Sequence, residues 1–270
     1  MIVFLDGRLL PQEHATLSPA DRGFTLGDGL FETIKISHGH PLRLDAHLRR
    51  LRDGAAILRL PLPAGDAWFA DAVAAVLHAN HLSQAALRLT VSRGPGPRGL
   101  LPPAPCAPTV LITAGPPPPP LSPARVVVSQ HVRRNAHSPL ARCKTLSSLD
   151  TVLARMEAQE RGADDALLLN TDGIVAETTI ANLFMVDSDG LLATPPLADG
   201  ALPGIRRAEL LRSMVAQERS LTLSDLRSAR EVFLTNALSV RPLVAIDDHL
   251  IGDGHPGRLS TRLLEELTHE

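Results

Sequence analysis

Residues 143–186 read CKTLSSLDTVLARMEAQERGADDALLLNTDGIVAETTIANLFMV, and a change of rhythm inside this stretch sets the fold class. Leu146, Leu149, Val152, Leu153 and Met156 recur at steps of three and four, the spacing of one helix face, and Gly162 ends that helix. Glu157 and Arg161 make an i, i+4 pair on its polar side. The pattern then becomes that of strands. Ala166–Leu169 turns at Asp172-Gly173 into Ile174–Glu177, and Asn182–Val186 turns at Asp189-Gly190 into Leu191–Thr194. A helix followed by antiparallel hairpins points to an α+β arrangement rather than a doubly wound parallel sheet.

The same alternation extends to both sides. Upstream, strands are expected at 2–5, closed by Asp6-Gly7, at 30–36 after Gly27-Asp28-Gly29, and at 87–91, 109–113 and 124–130. Helices are expected over 45–60, which Pro61 and Pro63 stop, and over 66–81. Downstream, helices are expected near 206–217 and 256–267 with a strand at 231–235 between them. Residues 115–123, GPPPPPLSP, break every pattern, because consecutive prolines form a stiff extended segment without backbone donors. Read as a semi-rigid spacer, this run divides a small α+β domain, 1–118, from a large one, 119–270. The other reading of the run is a docking peptide for a proline-binding partner.

Composition narrows the function classes. Twenty-seven basic residues against 29 acidic ones, a net charge of −2, leave no electrostatic footprint for nucleic acid or an anionic membrane. No apolar run approaches the ~20 residues of a membrane span, and the N-terminus lacks the pattern of a signal peptide. Cys106 and Cys143 are too few for a disulfide framework or zinc cluster, and the 11 histidines fall at no metal-ligand spacing. The expectation is a soluble globular chain of the reducing cytoplasm without a metal cluster. Two lysines, Lys35 and Lys144, stand against 25 arginines, so each lysine invites a question.

Gly94-Pro95-Gly96-Pro97-Arg98-Gly99 matches a dinucleotide fingerprint in letters only, since the prolines and the following Leu-Leu-Pro-Pro cannot open a helix. What remains is a rigid loop with Arg93 and Arg98, side chains suited to a carboxylate. Lys144 stands at a strand-to-helix junction, where burial can leave a lysine neutral and able to form a Schiff base. Glu177 closes an apolar strand, either as a buried partner for a cationic nitrogen or as a charge at the sheet edge. Leu202-Pro203-Gly204-Ile205-Arg206 leads into a helix whose first N–H groups would suit a phosphate, and Thr235-Asn236 offers further short polar donors.

Taken together, DRGFTLGDGLFETI, HLRRL, SRGPGPRG, the 143–170 segment, VAETTIANLF, LPGIRR and TNALSVRPL resemble, in order and spacing, the class IV (fold type IV) pyridoxal-phosphate aminotransferases and lyases. The resemblance implies a two-domain α+β fold of the D-amino-acid aminotransferase type, with the active site between the domains and the large domain carrying the lysine. It makes Lys144 the Schiff-base lysine and Glu177 the acid facing the pyridine nitrogen. Arg50, the Ile205–Arg206 backbone and Asn236 become phosphate contacts, and Phe31, Arg93 and Arg98 become substrate contacts. A homodimer and an amino substrate bearing a carboxylate are implied as well.

Within the family, the Arg-Gly-x-Gly-x-Arg-Gly loop and Asn236-Ala237-Leu238 are similar to 4-amino-4-deoxychorismate lyases, which release pyruvate and 4-aminobenzoate for folate synthesis. Phe31 and Leu100 stand where D-amino-acid aminotransferases carry Tyr and His, and Arg206 stands where the family usually has Thr. A D-amino-acid or branched-chain aminotransferase using 2-oxoglutarate or pyruvate is the alternative. A non-catalytic pyridoxal-phosphate or proline-motif binding protein is the reading of a different class.

Overall fold

The structure, a computed structural model, describes residues 1–269. The chain divides into two compact units. One holds residues 1–118 together with 143–148, and the other holds 119–142 and the chain from 149 onward. The expectation that the large C-terminal domain carries Lys144 is therefore corrected: the lysine segment belongs to the first unit. The reason is backbone pairing, described below.

The first unit contains β1 (Ile2–Leu5), β2 (Arg8–Pro11), α1 (Arg22–Leu26), β3 (Gly29–Ser37), β4 (His40–Pro41), α2 (Leu44–Leu58), α3 (Asp66–Ala79), β5 (Ala85–Ser92) and β6 (Thr109–Gly115). Its strands form an antiparallel sheet in the order β2-β1-β6-β5-β3-β4. Strict alternation along β3 sends Leu30, Glu32, Ile34 and Ile36 to one face, where Leu87, Leu89 and Val91 of β5 join them. Leu48 and Leu51 of α2 and Phe69, Val73 and Val76 of α3 cover that face. Each such Leu or Ile contributes about 1.5–3 kcal/mol on burial. Phe31, Thr33 and Lys35 point to the opposite face, half-buried, beside Arg88 and Thr90 of β5.

Cys143–Ser148 lies along the edge of β3. The Phe31 N–H donates to the Lys144 carbonyl (2.9 Å), the Leu146 N–H donates to the Gly29 carbonyl (3.0 Å), and Leu30 bridges Thr145. Gly29 permits this approach. A Cβ there would lie 2.5 Å from the Val91 carbonyl oxygen and 2.7 Å from a Leu146 methyl.

The second unit contains β7 (Ala124–Arg134), α4 (Leu149–Glu160), β8 (Asp165–Asn170), β9 (Val175–Thr178), β10 (Asn182–Val186), β11 (Leu192–Thr194), α5 (Ile205–Ser213), β12 (Ala216–Glu218), α6 (Leu223–Arg227), β13 (Glu231–Thr235), β14 (Val240–Ile246), β15 (His249–Leu250) and α7 (Arg258–His269). The sheet runs β12-β11-β10-β13-β14-β7-β8-β9, with β15 on β14. β7 and β8 are parallel, so their connection must cross over, and α4 makes that crossover. Phe184 of β10 and Phe233 of β13 stack at 5.4 Å beneath Leu210 of α5 and Leu263 of α7. The expected helix over 206–217 ends at Ser213, because Ala216–Glu218 pairs with β11 as a strand.

The apolar stripe on α4 is present but turned away from the core. Ala154 and Ala158 face the sheet over Val127 and Leu168, while Leu149, Val152, Leu153 and Met156 are 75%, 48%, 57% and 51% exposed. Two alanines four residues apart give a flat inner side that packs closely on the strands. No helix among the described residues is long and apolar enough to cross a membrane.

Candidate active site

Candidate side chains gather in both units. In the first unit, pairing to β3 fixes the Lys144 backbone, and Nζ lies 4.3 Å from the Phe31 ring centroid. The same ring carries the Arg88 guanidinium at 3.7 Å, a cation–π contact. Phe31 and Arg88 meet because Phe31 pairs with Thr90 in the ladder, one diagonal step from Arg88. Desolvation lowers the Arg88 pKa from its ordinary value, but an arginine stays charged. Arg88 is exposed and has no ion-pair partner among the described residues, so a guanidinium with five N–H donors shares the Phe31 ring with the lysine. Sequence reasoning passed over Arg88, although a charged residue alternating with Leu87 and Leu89 was a visible sign.

On the opposite face of β3, Glu32 is buried among the α2 side chains. Arg50 grips it with both ends of a fork, Nε to Oε1 at 2.9 Å and Nη2 to Oε2 at 2.5 Å, and His47 Nδ1 lies 2.6 Å from Oε2. Burial pushes the Glu32 pKa up, but the Arg50 charge and the hydrogen bonds from His47 and Arg50 outweigh it, so the net shift is downward. Glu32 thus fixes the plane of the Arg50 guanidinium.

The structure corrects the assignment of Arg93 to a substrate carboxylate. Its Nε donates to Asp28 (2.7 Å), and its two Nη atoms donate to the carbonyls of Arg59 (2.9 Å) and Leu58 (2.8 Å). A buried cation on the last carbonyls of α2 is a helix C-cap, and its donors are committed there. Burial works to raise the Asp28 pKa, yet Arg93 and Arg22 hold it below the ordinary value. Arg22 in turn donates to the carbonyls of Gly99 and Leu100, which anchors the loop on which Arg98 stands exposed.

In the second unit, Glu177 is buried to 8% exposure, although β9 is an edge strand. Its Oε2 accepts from the Leu202 N–H (2.9 Å) and Asn182 Nδ2 (3.3 Å), and its Oε1 lies 3.3 Å from Arg134 Nε. These three neighbours are donors, so the carboxylate accepts from each of them. Between the two local readings, the structure takes the buried one. The N-cap of α5 is Gly204, with no side-chain cap, so the first N–H groups of the helix, those of Ile205 and Arg206, stand at an uncapped end. The Arg206 side chain reaches forward along its own helix to Glu209 (2.8 Å). Asn236 Oδ1 accepts from the N–H groups of Leu238 and Ser239 and so builds the turn after β13. Among the described residues, the buried Thr235 hydroxyl has no hydrogen-bond partner, and Thr235 pairs with Asn182 in the ladder.

Each unit carries groups of the kind that a phosphorylated aromatic cofactor needs. An uncapped helix N-terminus and an orphaned hydroxyl suit a phosphate, an acceptor carboxylate suits a protonated ring nitrogen, and a lysine on a half-buried face suits an aldehyde. Among the described residues, no group of His, Cys, Asp and Glu could hold a metal ion.

Comparison with known proteins agrees. The family model of class IV amino-transferases matches residues 29–246. A Methanocaldococcus jannaschii protein provisionally named branched-chain-amino-acid aminotransferase is 34% identical over 99% of this chain and 95% of its own length. D-alanine aminotransferase of Bacillus licheniformis is 30% identical over 99% of this chain and 96% of its own. The branched-chain amino acid aminotransferase structure of Escherichia coli superposes with a TM-score of 0.93 at 27% identity, covering 99% of this chain and 93% of that one. A Legionella pneumophila structure provisionally named 4-amino-4-deoxychorismate lyase gives 0.86 at 30% identity, covering 96% of each chain. The chain belongs to the class IV aminotransferases, pyridoxal-phosphate-dependent enzymes of fold type IV.

Proposed function

We propose that this enzyme exchanges an amino group between an amino acid and a 2-oxo acid, one of the pair bearing a second carboxylate. The observation that supports the reading is the Phe31 ring, which both Lys144 Nζ (4.3 Å from its centroid) and the Arg88 guanidinium (3.7 Å) contact. When bound, pyridoxal phosphate supplies a ring that accepts electrons from the substrate's Cα. Lys144, as a neutral amine, removes the Cα proton. Glu177 holds the proton of the ring nitrogen, while the α5 N-terminus, Asn236 and the Glu32-braced Arg50 take the phosphate. Arg88, with Arg98 as a second contact, orients the substrate carboxylate.

Of the two sequence features that favoured a lyase, the loop's Arg93 caps α2 and so is committed away from a substrate carboxylate. Transamination therefore leads. The Legionella likeness favours the lyase as the second reading. The reconstituted enzyme is expected to form glutamate from 2-oxoglutarate with a branched-chain L-amino acid or D-alanine as donor, and the glutamate enantiomer identifies which. Release of 4-aminobenzoate from 4-amino-4-deoxychorismate, without glutamate formation, would establish the lyase instead. Arg88→Met is expected to raise KM for 2-oxoglutarate about ten- to a hundredfold, since a charge-assisted bond contributes about 1.5–3 kcal/mol. An unchanged KM removes Arg88 from substrate binding.

The exposed apolar side of α4 supports the homodimer that the family resemblance implied, because such a stripe is ordinarily covered. Sedimentation is expected to give a dimer for the wild type and a monomer for Leu153→Glu/Met156→Glu if this side is the interface. A dimer that survives the double change places the interface elsewhere.

A further inference from the structure

Asn182 is 5% exposed, and its amide lies between the two parts of the second unit assigned above to the cofactor. Nδ2 has two hydrogens and both have acceptors: one bond runs to the Leu202 carbonyl at 2.9 Å, the other to Glu177 Oε2 at 3.3 Å. The Leu202 N–H returns to the same Oε2 at 2.9 Å, so residue 202 is held by its N–H and by its carbonyl. From there the path to the helix is short and stiff. Pro203 fixes its own φ, the Gly204 N–H turns back onto the Leu202 carbonyl at 2.7 Å, and α5 begins at Ile205.

The other end of the amide touches the helix start itself. A Cβ on Gly204 would lie 1.9 Å from Asn182 Oδ1, so only a glycine lets α5 begin against this side chain. On the strand side, Asn182 pairs with Thr235, whose buried hydroxyl has no partner among the described residues. One amide therefore spans the acid, the turn and the first residue before the helix.

We infer that Asn182 is a positioning residue that sets the spacing between the Glu177 carboxylate and the N-terminus of α5. The inference rests on the proposed assignment of those two groups to the ring nitrogen and the phosphate of one cofactor. A rigid ligand of fixed length gains from both ends only when their separation is right. Loss of the amide bonds lets the turn at 202–204 shift against Glu177, so either end can still bind but the two no longer reinforce each other.

The test compares the binding of pyridoxal phosphate and of pyridoxal, which lacks the phosphate, to the apo-enzyme. Dissociation constants are measured by absorbance titration for wild type, Asn182→Ala and Asn182→Asp. The ratio of the two constants measures how much the phosphate end adds once the ring end is engaged. Wild type is expected to favour the phosphorylated form strongly, and both variants to lose at least tenfold of that ratio with unchanged circular dichroism. Asn182→Asp keeps the size of the side chain and serves if the alanine variant does not fold. A lowered melting temperature with an unchanged ratio overturns the positioning role and leaves the site assignment standing. A wild-type enzyme that binds both forms equally overturns the site assignment and the inference with it.

Discussion

Lys144→Ala is expected to abolish turnover, by at least about a thousandfold, while the melting temperature stays within a few degrees of wild type. The size of the effect follows from two roles in one side chain: covalent attachment of the cofactor and proton transfer at Cα, the latter alone contributing about 10²–10⁴-fold. The stability expectation follows from the way the segment is held. What joins it to β3 is the Lys144 carbonyl, the Leu146 N–H and the Thr145 bridge, all backbone features that an alanine retains. A second readout makes the assignment specific. The wild type should show a near-visible band that borohydride removes with a tag on Lys144, and the variant should show no such band. Lys35, the other lysine, lies on the same face of β3, so Lys35→Ala is the matched control and should keep the band. A tag on Lys35, or none on either lysine, refutes the assignment.

Glu177→Gln is expected to keep cofactor affinity within a few-fold and to cost at least about a hundredfold in kcat. The amide has nearly the shape of the carboxylate, and its carbonyl can still accept from the Leu202 N–H, so the turn before α5 should hold. The charge is gone, however, and with it the means of keeping the ring nitrogen protonated, which is where electron withdrawal comes from. Arg134 also loses its anionic partner at 3.3 Å, which adds some loss of stability. Separate measurement of kcat and of the cofactor dissociation constant distinguishes the cases. Full turnover in Glu177→Gln takes the carboxylate out of the chemistry, and a large loss of affinity with little change in kcat makes it a binding group only.

Local pattern made most of the framework legible. The alternation of β3, the helices that became α2 and α3, and the hairpins around Asp172-Gly173 and Asp189-Gly190 all depend on neighbours a few residues away. The side of a helix that meets the core is a different kind of fact. The α4 periodicity is real, but alanine can pack on a sheet as well as leucine can, and the leucines face outward. Arginines were harder still. Arg88, Arg93 and Arg98 look alike in sequence, and only tertiary structure shows that Arg93 is committed to the C-terminus of α2 while Arg88 rests on Phe31. Asn182 and Glu32 escaped notice for a related reason: the partners of Glu32 are 15 and 18 residues away, and one of those of Asn182 is 20 away.

The placement of residues 143–148 in the first unit means that the chain passes between units three times, at 118/119, 142/143 and 148/149. A protease that cuts the proline run therefore splits the chain into two pieces, and residues 143–148, which pair with β3, stay covalently on the C-terminal piece and hold the first piece by noncovalent contacts. A fragment ending at Pro118 would lack the strand segment that pairs with the edge of β3 at Phe31 and Gly29, and would expose unsatisfied peptide groups prone to intermolecular association. Genetic dissection of this enzyme into freestanding modules would need a circularly permuted or spliced gene rather than a single truncation.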